Sequence, residues 1–204
     1  MKDYLMHNGK KYEISTETAT ELARIFGNKD TPRLSDFAVG DIVNIEDMEF
    51  LVLEQLDGKT AVIFKGLLYE REQFGNNNNN YDGSNVDNLC NEVATKIAKI
   101  VGEENIYEHE VDLTANNGMK CYGTIMRKAS LLTVERVRKY ADVLSEHSTN
   151  KWEWLSTPCG TQKWGTKDWI LCVAPSGYFD NYGYGNYFGV RPFCILNSNI
   201  FVSK

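Results

Sequence analysis

The 204-residue sequence contains little of what metal or nucleotide chemistry requires. Its three histidines (His7, His109 and His147) lie far apart, and none of its five cysteines forms a CxxC pair. Zinc sites need closely spaced Cys and His ligands, so the spacing predicts no zinc site. No spaced carboxylate loop for a hard cation occurs either, and we expect no metal ion and no cofactor. The odd number of scattered cysteines instead indicates free, mostly buried thiols. Neither a P-loop nor a GxGxxG motif occurs, so no motif indicates a nucleotide site.

Basic clusters and long apolar segments are also missing. Asp and Glu (28) outnumber Lys and Arg (22), which gives a net charge of −6. A chain without a basic face is not expected to bind nucleic acid. No apolar run reaches the roughly 18 residues of a membrane span, and the beginning, MKDYLMHNGKK, lacks the apolar core of a signal peptide. We therefore expect synthesis in the cytoplasm and no membrane insertion.

The length and the 42% hydrophobic content suit one domain with a small extension. Near the start, Asn8-Gly9 between two strand-like runs predicts a hairpin with a two-residue turn. Ser15 or Thr16 can then cap a short helix. The sequence thus predicts an N-terminal hairpin–helix extension over residues 1–36 and a main domain over residues 37–204.

The main domain begins with a clear change of pattern. From Val39 onward apolar and polar residues alternate, which predicts three strands near 41–45, 49–55 and 59–65. Asp57-Gly58, between the last two, is a second hairpin signal. This part of the chain is therefore predicted to form an antiparallel meander.

Capping residues and periodicity predict two helices, and a polar loop precedes the first of them. Asparagine favours turns, so the five consecutive asparagines at 76–80 predict an exposed loop. Ser84 can cap a helix after that loop, and Thr133 can cap a second one. Apolar residues at helical spacing predict the core-facing side of each helix. In the first helix these are Val86, Leu89, Val93, Ala94 and Ile97, and in the second Val134, Val137, Tyr140, Ala141 and Leu144.

Several motifs, in their order along the chain, resemble those of a bacterial and phage family of unknown function. KWEWLSTP (151–158), WILCVAPSG (169–177) and GVRPFCIL (189–196) are similar to its ending, which runs W-W-L-R-S-P, then a strand and turn, then G-V-R-P-A-L-x-L. Upstream, GDIV…EFLVLE…DGKTAVIF resembles its opening meander, and NNNNNYDGSNVDNLCN its lead into a Ser-capped helix. The resemblance covers roughly residues 37–196.

The resemblance implies an α+β fold of the C-type-lectin-like class, which formylglycine-generating enzymes share. Such a fold has two helices, a twisted mixed or antiparallel sheet and long irregular loops. The calcium motifs Glu-Pro-Asn and Trp-Asn-Asp are absent here, and so is a closely spaced late cysteine pair. Calcium-dependent sugar binding and formylglycine chemistry are therefore not carried over, and we expect no enzyme. The resemblance implies a structural role for Arg191, with a ligand contact as the alternative. We expect Trp152, Trp154 and Trp164 to anchor the core, and Trp169 is also predicted to be structural.

The stretch SGYFDNYGYGNYFGVRP (176–192) is the strongest candidate for recognition. Tyrosines give large, rigid contact areas, and Gly, Ser and Asn give adaptable hydrogen bonding, which is also the composition of antibody paratopes. The alternative is that about half of these rings pack inward to hold an irregular loop. The predicted ligand-binding residues are Tyr178, Phe179, Asp180, Asn181, Tyr182, Tyr184, Asn186 and Tyr187.

We therefore predict a non-enzymatic ligand-binding module that presents loops 72–83 and 176–188 to a glycan or protein. The resemblance implies a phage or prophage origin and association with a virion. The alternative is a structural component of a virion or surface assembly, or a homo-oligomer, in which the same aromatic residues contact neighbouring subunits.

Overall fold

The computed structural model describes residues 3–7, 10–18, 31–161, 163 and 167–204. Within these ranges the protein is a mixed α+β structure in which strands predominate, which confirms the α+β class. The strands are β1 (Asp3–His7), β2 (Lys10–Ile14), β3 (Ile42–Ile45), β4 (Met48–Leu56), β5 (Lys59–Phe64), β6 (Tyr69–Gln73), β7 (Ile106–Tyr107), β8 (His109–Asp112), β9 (Thr124–Arg127), β10 (Ala129–Ser130), β11 (Glu153–Pro158), β12 (Trp169–Val173), β13 (Phe179–Gly183), β14 (Tyr187–Val190) and β15 (Phe193–Asn197). The helices longer than one turn are α1 (Asn85–Val101), α2 (Val134–Lys139) and α3 (Ala141–Glu146).

The N-terminal segment contains the predicted hairpin. Strands β1 and β2 pair antiparallel, with His7 opposite Lys10, and Ser15 Oγ accepts a hydrogen bond from the N–H of Thr18 at 3.1 Å. The rest of the predicted short helix, like Trp164, lies outside the described residues. Leu34 is fully buried and its N–H donates to Ile200 O. The predicted boundary at residue 36 stays a prediction.

The meander is confirmed and forms half of the main sheet. Strands β3, β4 and β5 pair antiparallel in sequence order, β15 pairs with β5, and β10 and β7 pair with β15. Gly58, in the turn between β4 and β5, has a φ of 66°, which a side-chain-bearing residue adopts only with strain. Both faces of β4 are buried: Phe50 and Val52 pack in one hydrophobic core, Leu51 and Leu53 in another. The sheet therefore lies between two cores.

A second sheet has the order β13-β12-β11-β14-β6, with β11 and β14 parallel and the other pairs antiparallel. It contains most of the stretch that was predicted as a long irregular loop. Instead of a loop, Phe179–Gly183 pairs with β12 over five residues, and Tyr187–Val190 pairs with β6. The expectation of an irregular loop at 176–188 was wrong because Phe179–Gly183 finds backbone partners on the preceding strand β12, and Tyr187–Val190 finds them on β6, which is far away in the sequence.

Helix α1 begins as predicted. Ser84 Oγ accepts a hydrogen bond from the N–H of Asp87 at 3.2 Å, and four of the five predicted core-facing residues are buried, whereas Leu89 is half-buried. Gly102 ends the helix at a φ of 94°. No helix in the described ranges is both long and apolar enough to span a bilayer.

The second predicted helix begins as expected but is not continuous. Thr133 Oγ1 accepts a hydrogen bond from the N–H of Arg136 at 3.2 Å, but the backbone departs from helical angles at Tyr140, and α2 and α3 result. Tyr140 Oη donates to Glu54 Oε2 at 2.8 Å, and the neighbouring Lys139 also binds Glu54. This side-chain anchor on β4 directs the chain away from a straight helix. Ala141 is exposed as a result, so its predicted inward position was wrong.

Candidate functional site

The predicted recognition stretch is divided between the two faces of the β12–β13 ladder. Directly paired residues of antiparallel strands point to the same face, and the side chains alternate along each strand. Phe179 pairs with Val173, and Asn181 with Leu171, so these four share one face with Trp169. Asp180 and Tyr182 point to the opposite face. The eight predicted residues therefore do not form one continuous surface.

On that opposite face, aromatic residues pack against one another rather than projecting into solvent. The Tyr182 and Phe188 rings lie 4.9 Å apart, and both contact Trp152 at 5.6 and 6.0 Å between ring centres. Phe188 also packs edge-on against Trp154, which is buried and donates its indole N–H to Glu72 O at 2.7 Å. This aromatic cluster supports the link between β13 and β14.

Three other rings of the region are strongly exposed: Tyr178 (63%), Tyr187 (51%) and Trp169 (47%). We call them the exposed aromatic set. Trp169 was predicted to be a structural residue, but its indole does not lie in the core. Its partner on β13, Gly183, has no side chain that could cover the indole. Arg71 lies over the Tyr187 ring at 5.5 Å. Of the remaining predicted residues, Asn181 and Asn186 are exposed and Tyr184 is half-buried.

The asparagine run contains a buried residue that the sequence did not indicate. Residues 76–78 are exposed, as predicted, but Asn79 is fully buried, so the expectation of an entirely exposed loop was wrong. Its Nδ2 donates to Gly160 O and Trp169 O, both at 2.8 Å, and its Oδ1 accepts from Tyr122 Oη at 2.7 Å. Since Asn79 has four identical neighbours, no local signal distinguishes it.

The end of the asparagine loop is held by a bidentate ion pair. Arg127 Nε and Nη2 donate to the two carboxylate oxygens of Asp87 at 2.9 and 2.8 Å. Asp87 is 1% exposed and also accepts the N–H of Gly83 at 2.9 Å. Arg127 additionally binds Asp82, and its pKa is raised mainly by the hydrogen bond to Asp87. The loop is thus fixed to strand β9.

A cavity of about 400 Å³ lies over the same face of the second sheet that carries Phe179. Its floor is a row of three paired residues across β11, β12 and β13: Glu153, Val173 and Phe179. Its walls come from α2, the segment before it, α3, the turn after β12 and, in part, β11. They are mainly apolar: Leu132, Val137, Ala141, Leu144, Leu155, Ala174 and Pro175. One sequence signal could have indicated it, since Glu153 is the only charged residue of β11, whose other residues are all buried.

Two buried charged groups lie at the base of this cavity. Arg191 Nε donates to Phe64 O at 2.7 Å, and its Nη2 donates to Lys65 O at 2.9 Å and His147 O at 3.2 Å. Its Nη1 lies 3.6 Å from Glu153 Oε1, which also accepts the Thr149 hydroxyl at 2.6 Å. Burial raises the pKa of Glu153, against the opposing effect of the Arg191 charge, and lowers the pKa of Arg191. Arg191 therefore ties three segments together beneath the cavity.

A second polar pair lies inside the core. His109 Nε2 is 2.8 Å from Ser130 Oγ, a distance at which a base can activate a hydroxyl. Ser130 is fully buried, however, and Phe193 packs edge-on against the imidazole at 5.0 Å, so a substrate has no space to reach the hydroxyl. Burial, followed by the Arg136 charge, lowers the pKa of His109 to about 3. The pair joins β8 to β10.

The thiols show no reactive arrangement in the part of the chain that the structure describes. Cys90, Cys172 and Cys194 are buried, and burial raises the pKa of each, to about 12 for Cys90. Cys159 is half-buried with a raised pKa, and Cys121 is exposed. Among the described residues, no group of His, Cys, Asp and Glu side chains is arranged to hold a metal ion.

Comparisons of this chain with protein-family models, with curated proteins and with solved structures gave no match. The interpretation of its surface therefore depends on the geometry described above.

Proposed function

We propose that this protein is a non-enzymatic ligand-binding module that holds a glycan against the exposed aromatic set. One observation carries the proposal. Between residues 31 and 204, every strongly exposed aromatic side chain that the structure describes belongs to this set. Aromatic rings contribute large apolar contact areas, and a concentration of exposed rings marks an interaction surface. The apolar C–H face of a pyranose ring packs on such a surface.

The positions of the rings favour an extended ligand. Tyr178 precedes β13 and Trp169 lies opposite its last residue, so the two are separated by about 17 Å along the strand, at roughly 3.4 Å per residue. An oligosaccharide spans such a distance, whereas a single sugar does not. Asn181 lies between them along the strand, is exposed on the face that carries Trp169, and offers an amide to sugar hydroxyl groups.

The finer fold assignment is part of the same proposal. We place residues 37–204 in the C-type-lectin-like class, within the bacterial and phage family whose motifs they resemble. The support is the order of elements: a meander, a Ser-capped helix, a second helical segment and a late strand, β15, that returns to pair with the meander. The resemblance also carries the proposal of a phage or prophage protein associated with a virion.

The test is binding of the purified protein to an array of bacterial surface oligosaccharides. We expect a triple variant, Trp169→Ala, Tyr178→Ala and Tyr187→Ala, to lose at least about tenfold in affinity, because each lost ring removes contact area. Tyr12→Ala is the matched control, since Tyr12 is 48% exposed but lies in the N-terminal segment. It should bind like the wild type.

Retained binding by the folded triple variant would contradict the proposal. The alternative, a subunit of a virion or surface assembly, is supported by the position of β13 at the edge of its sheet, next to exposed rings. If no oligosaccharide binds and the wild type forms oligomers that the triple variant does not, as measured by light scattering, the assembly role replaces the glycan-binding role.

A further inference from the structure

We propose that the cavity between α2, α3 and the second sheet binds a small molecule with an apolar body and a neutral end group that both donates and accepts hydrogen bonds, such as a carboxamide. This site is separate from the exposed aromatic set. Its volume of about 400 Å³ lies within the range of about 300–1,000 Å³ typical of small-molecule sites.

The walls provide an apolar enclosure that is fixed in place. Val137 and Leu144 line the cavity from the helices, and Leu155 and Val173 line it from the sheet. The Ser148 hydroxyl donates to Pro175 O at 3.1 Å and joins the segment after α3 to the turn after β12. Burial of an apolar body in such an enclosure is favourable at about 25 cal/mol per Å².

The base of the cavity offers one donor and one acceptor next to each other. Arg191 uses Nε and Nη2 on three backbone carbonyls, whereas its Nη1 has only the Glu153 oxygen at 3.6 Å, beyond normal hydrogen-bond distance. Glu153 Oε1 accepts from Thr149, whereas Oε2 accepts no hydrogen bond within the described ranges. A carboxamide oxygen would accept from Nη1 while its N–H donates to Oε2.

The same two groups select against charged end groups. A carboxylate would lie beside Glu153, whose side chain is only 13% exposed, and an ammonium group would lie beside Arg191, at 3%. Like charges in a poorly hydrated site repel strongly, and each new buried ion also loses its hydration. A neutral group that donates and accepts meets neither cost.

The end of the floor formed by Phe179 favours a ring as the apolar body. The Arg138 guanidinium, which also lines the cavity, is 5.6 Å from the centre of the Phe179 ring. Arg138 is 61% exposed, so it can move aside or lie over a second ring. Aromatic pairs contribute roughly 0.5–1.5 kcal/mol beyond the area that they bury.

The experiment uses three probes with the same ring: phenylacetamide, phenylacetate and phenethylamine. Binding is followed by two-dimensional ¹H–¹⁵N NMR titration of the wild type and of Ala141→Phe, which places a ring at the exposed lip of the cavity. Ala38→Phe is the matched control, because Ala38 is exposed and does not line the cavity. Should Ala141→Phe fail to fold, Ser145→Phe blocks the same lip.

We expect phenylacetamide to bind at least about tenfold more tightly than either charged probe, with shifts around Ala174 and Phe179. Ala141→Phe or Ser145→Phe should weaken phenylacetamide binding by about tenfold or more. Ala38→Phe should change the affinity for phenylacetamide by less than about twofold. The proposal is overturned if phenylacetamide does not bind, if a charged probe binds as tightly, or if the blocked variants bind it normally. Trp169→Ala should leave phenylacetamide binding intact even if it abolishes glycan binding, which separates the two proposals.

Discussion

In the asparagine loop at 74–84 and the aromatic stretch at 176–188, the burial of key side chains is the opposite of what composition suggests. The most polar segment of the chain places Asn79 completely out of solvent, whereas the most aromatic segment contains Tyr178 and Tyr187, more than half exposed. Both segments lie against strand β12. Asn79 binds the carbonyl of Trp169, where β12 begins, and β13 of the aromatic stretch pairs with the same strand.

The difference shows that available partners decide burial more than polarity does. A buried amide costs little when each of its hydrogen bonds is replaced, and Asn79 finds two carbonyls and a hydroxyl. The aromatic stretch faces the reverse situation. Tyr182 and Phe188 pack against Trp152 and Trp154, and Phe179 and Tyr184 are also partly buried, whereas Tyr178 and Tyr187 stay in solvent.

The largest effect is expected from breaking the polar side of this comparison. Asn79→Ala should lower the free energy of unfolding by about 3 kcal/mol, because two carbonyls and the Tyr122 hydroxyl lose a buried partner. Asn77→Ala, an exposed member of the same run, should change it by less than about 0.5 kcal/mol. Urea denaturation measures both. Equal effects would mean that burial of Asn79 is unimportant.

The aromatic side is sharpened by two tyrosines four residues apart. Tyr182→Ala should cost about 2 kcal/mol, because its ring packs against Trp152 and Phe188. Tyr178→Ala, at 63% exposure, should leave stability within about 0.5 kcal/mol. Thermal and urea unfolding of the two variants test this, and a costly Tyr178→Ala would show a packing role for that ring.

The change in the free energy of unfolding per pH unit is expected to be smaller for His109, a buried polar residue with fewer hydrogen-bond partners than Asn79. His109 is neutral in the folded protein down to about pH 3 and titrates near 6.5 when unfolded, so acid favours unfolding. As the pH falls from 6.5 to about 3, His109 should lower the free energy of unfolding by about 1.4 kcal/mol per pH unit. Above pH 6.5 it should have no effect. His109→Gln should show a correspondingly shallower dependence in urea titrations. An unchanged slope would contradict this assignment.

Much of the fold was predictable from local patterns, because local physics fixes those elements. Alternation and Asp57-Gly58 predicted the meander, and Ser84 and Thr133 predicted both helix starts. The interruption at Tyr140 was not predictable, since it depends on Glu54, a residue far away in sequence. The burial of Asn79 and the cavity above Glu153 depend in the same way on long-range contacts. Composition identified an aromatic region but not which rings face solvent.

The central position of β15 affects how the protein is made. This strand lies between β5 and β10, yet it is translated long after the meander that it completes. On the ribosome, the edge of β5, with Val62 and Ile63 next to it, stays without its partner until β15 has emerged. Nascent chains at that stage present an unpaired apolar strand edge, so slow translation of the C-terminal third should increase their dependence on chaperones and their tendency to aggregate.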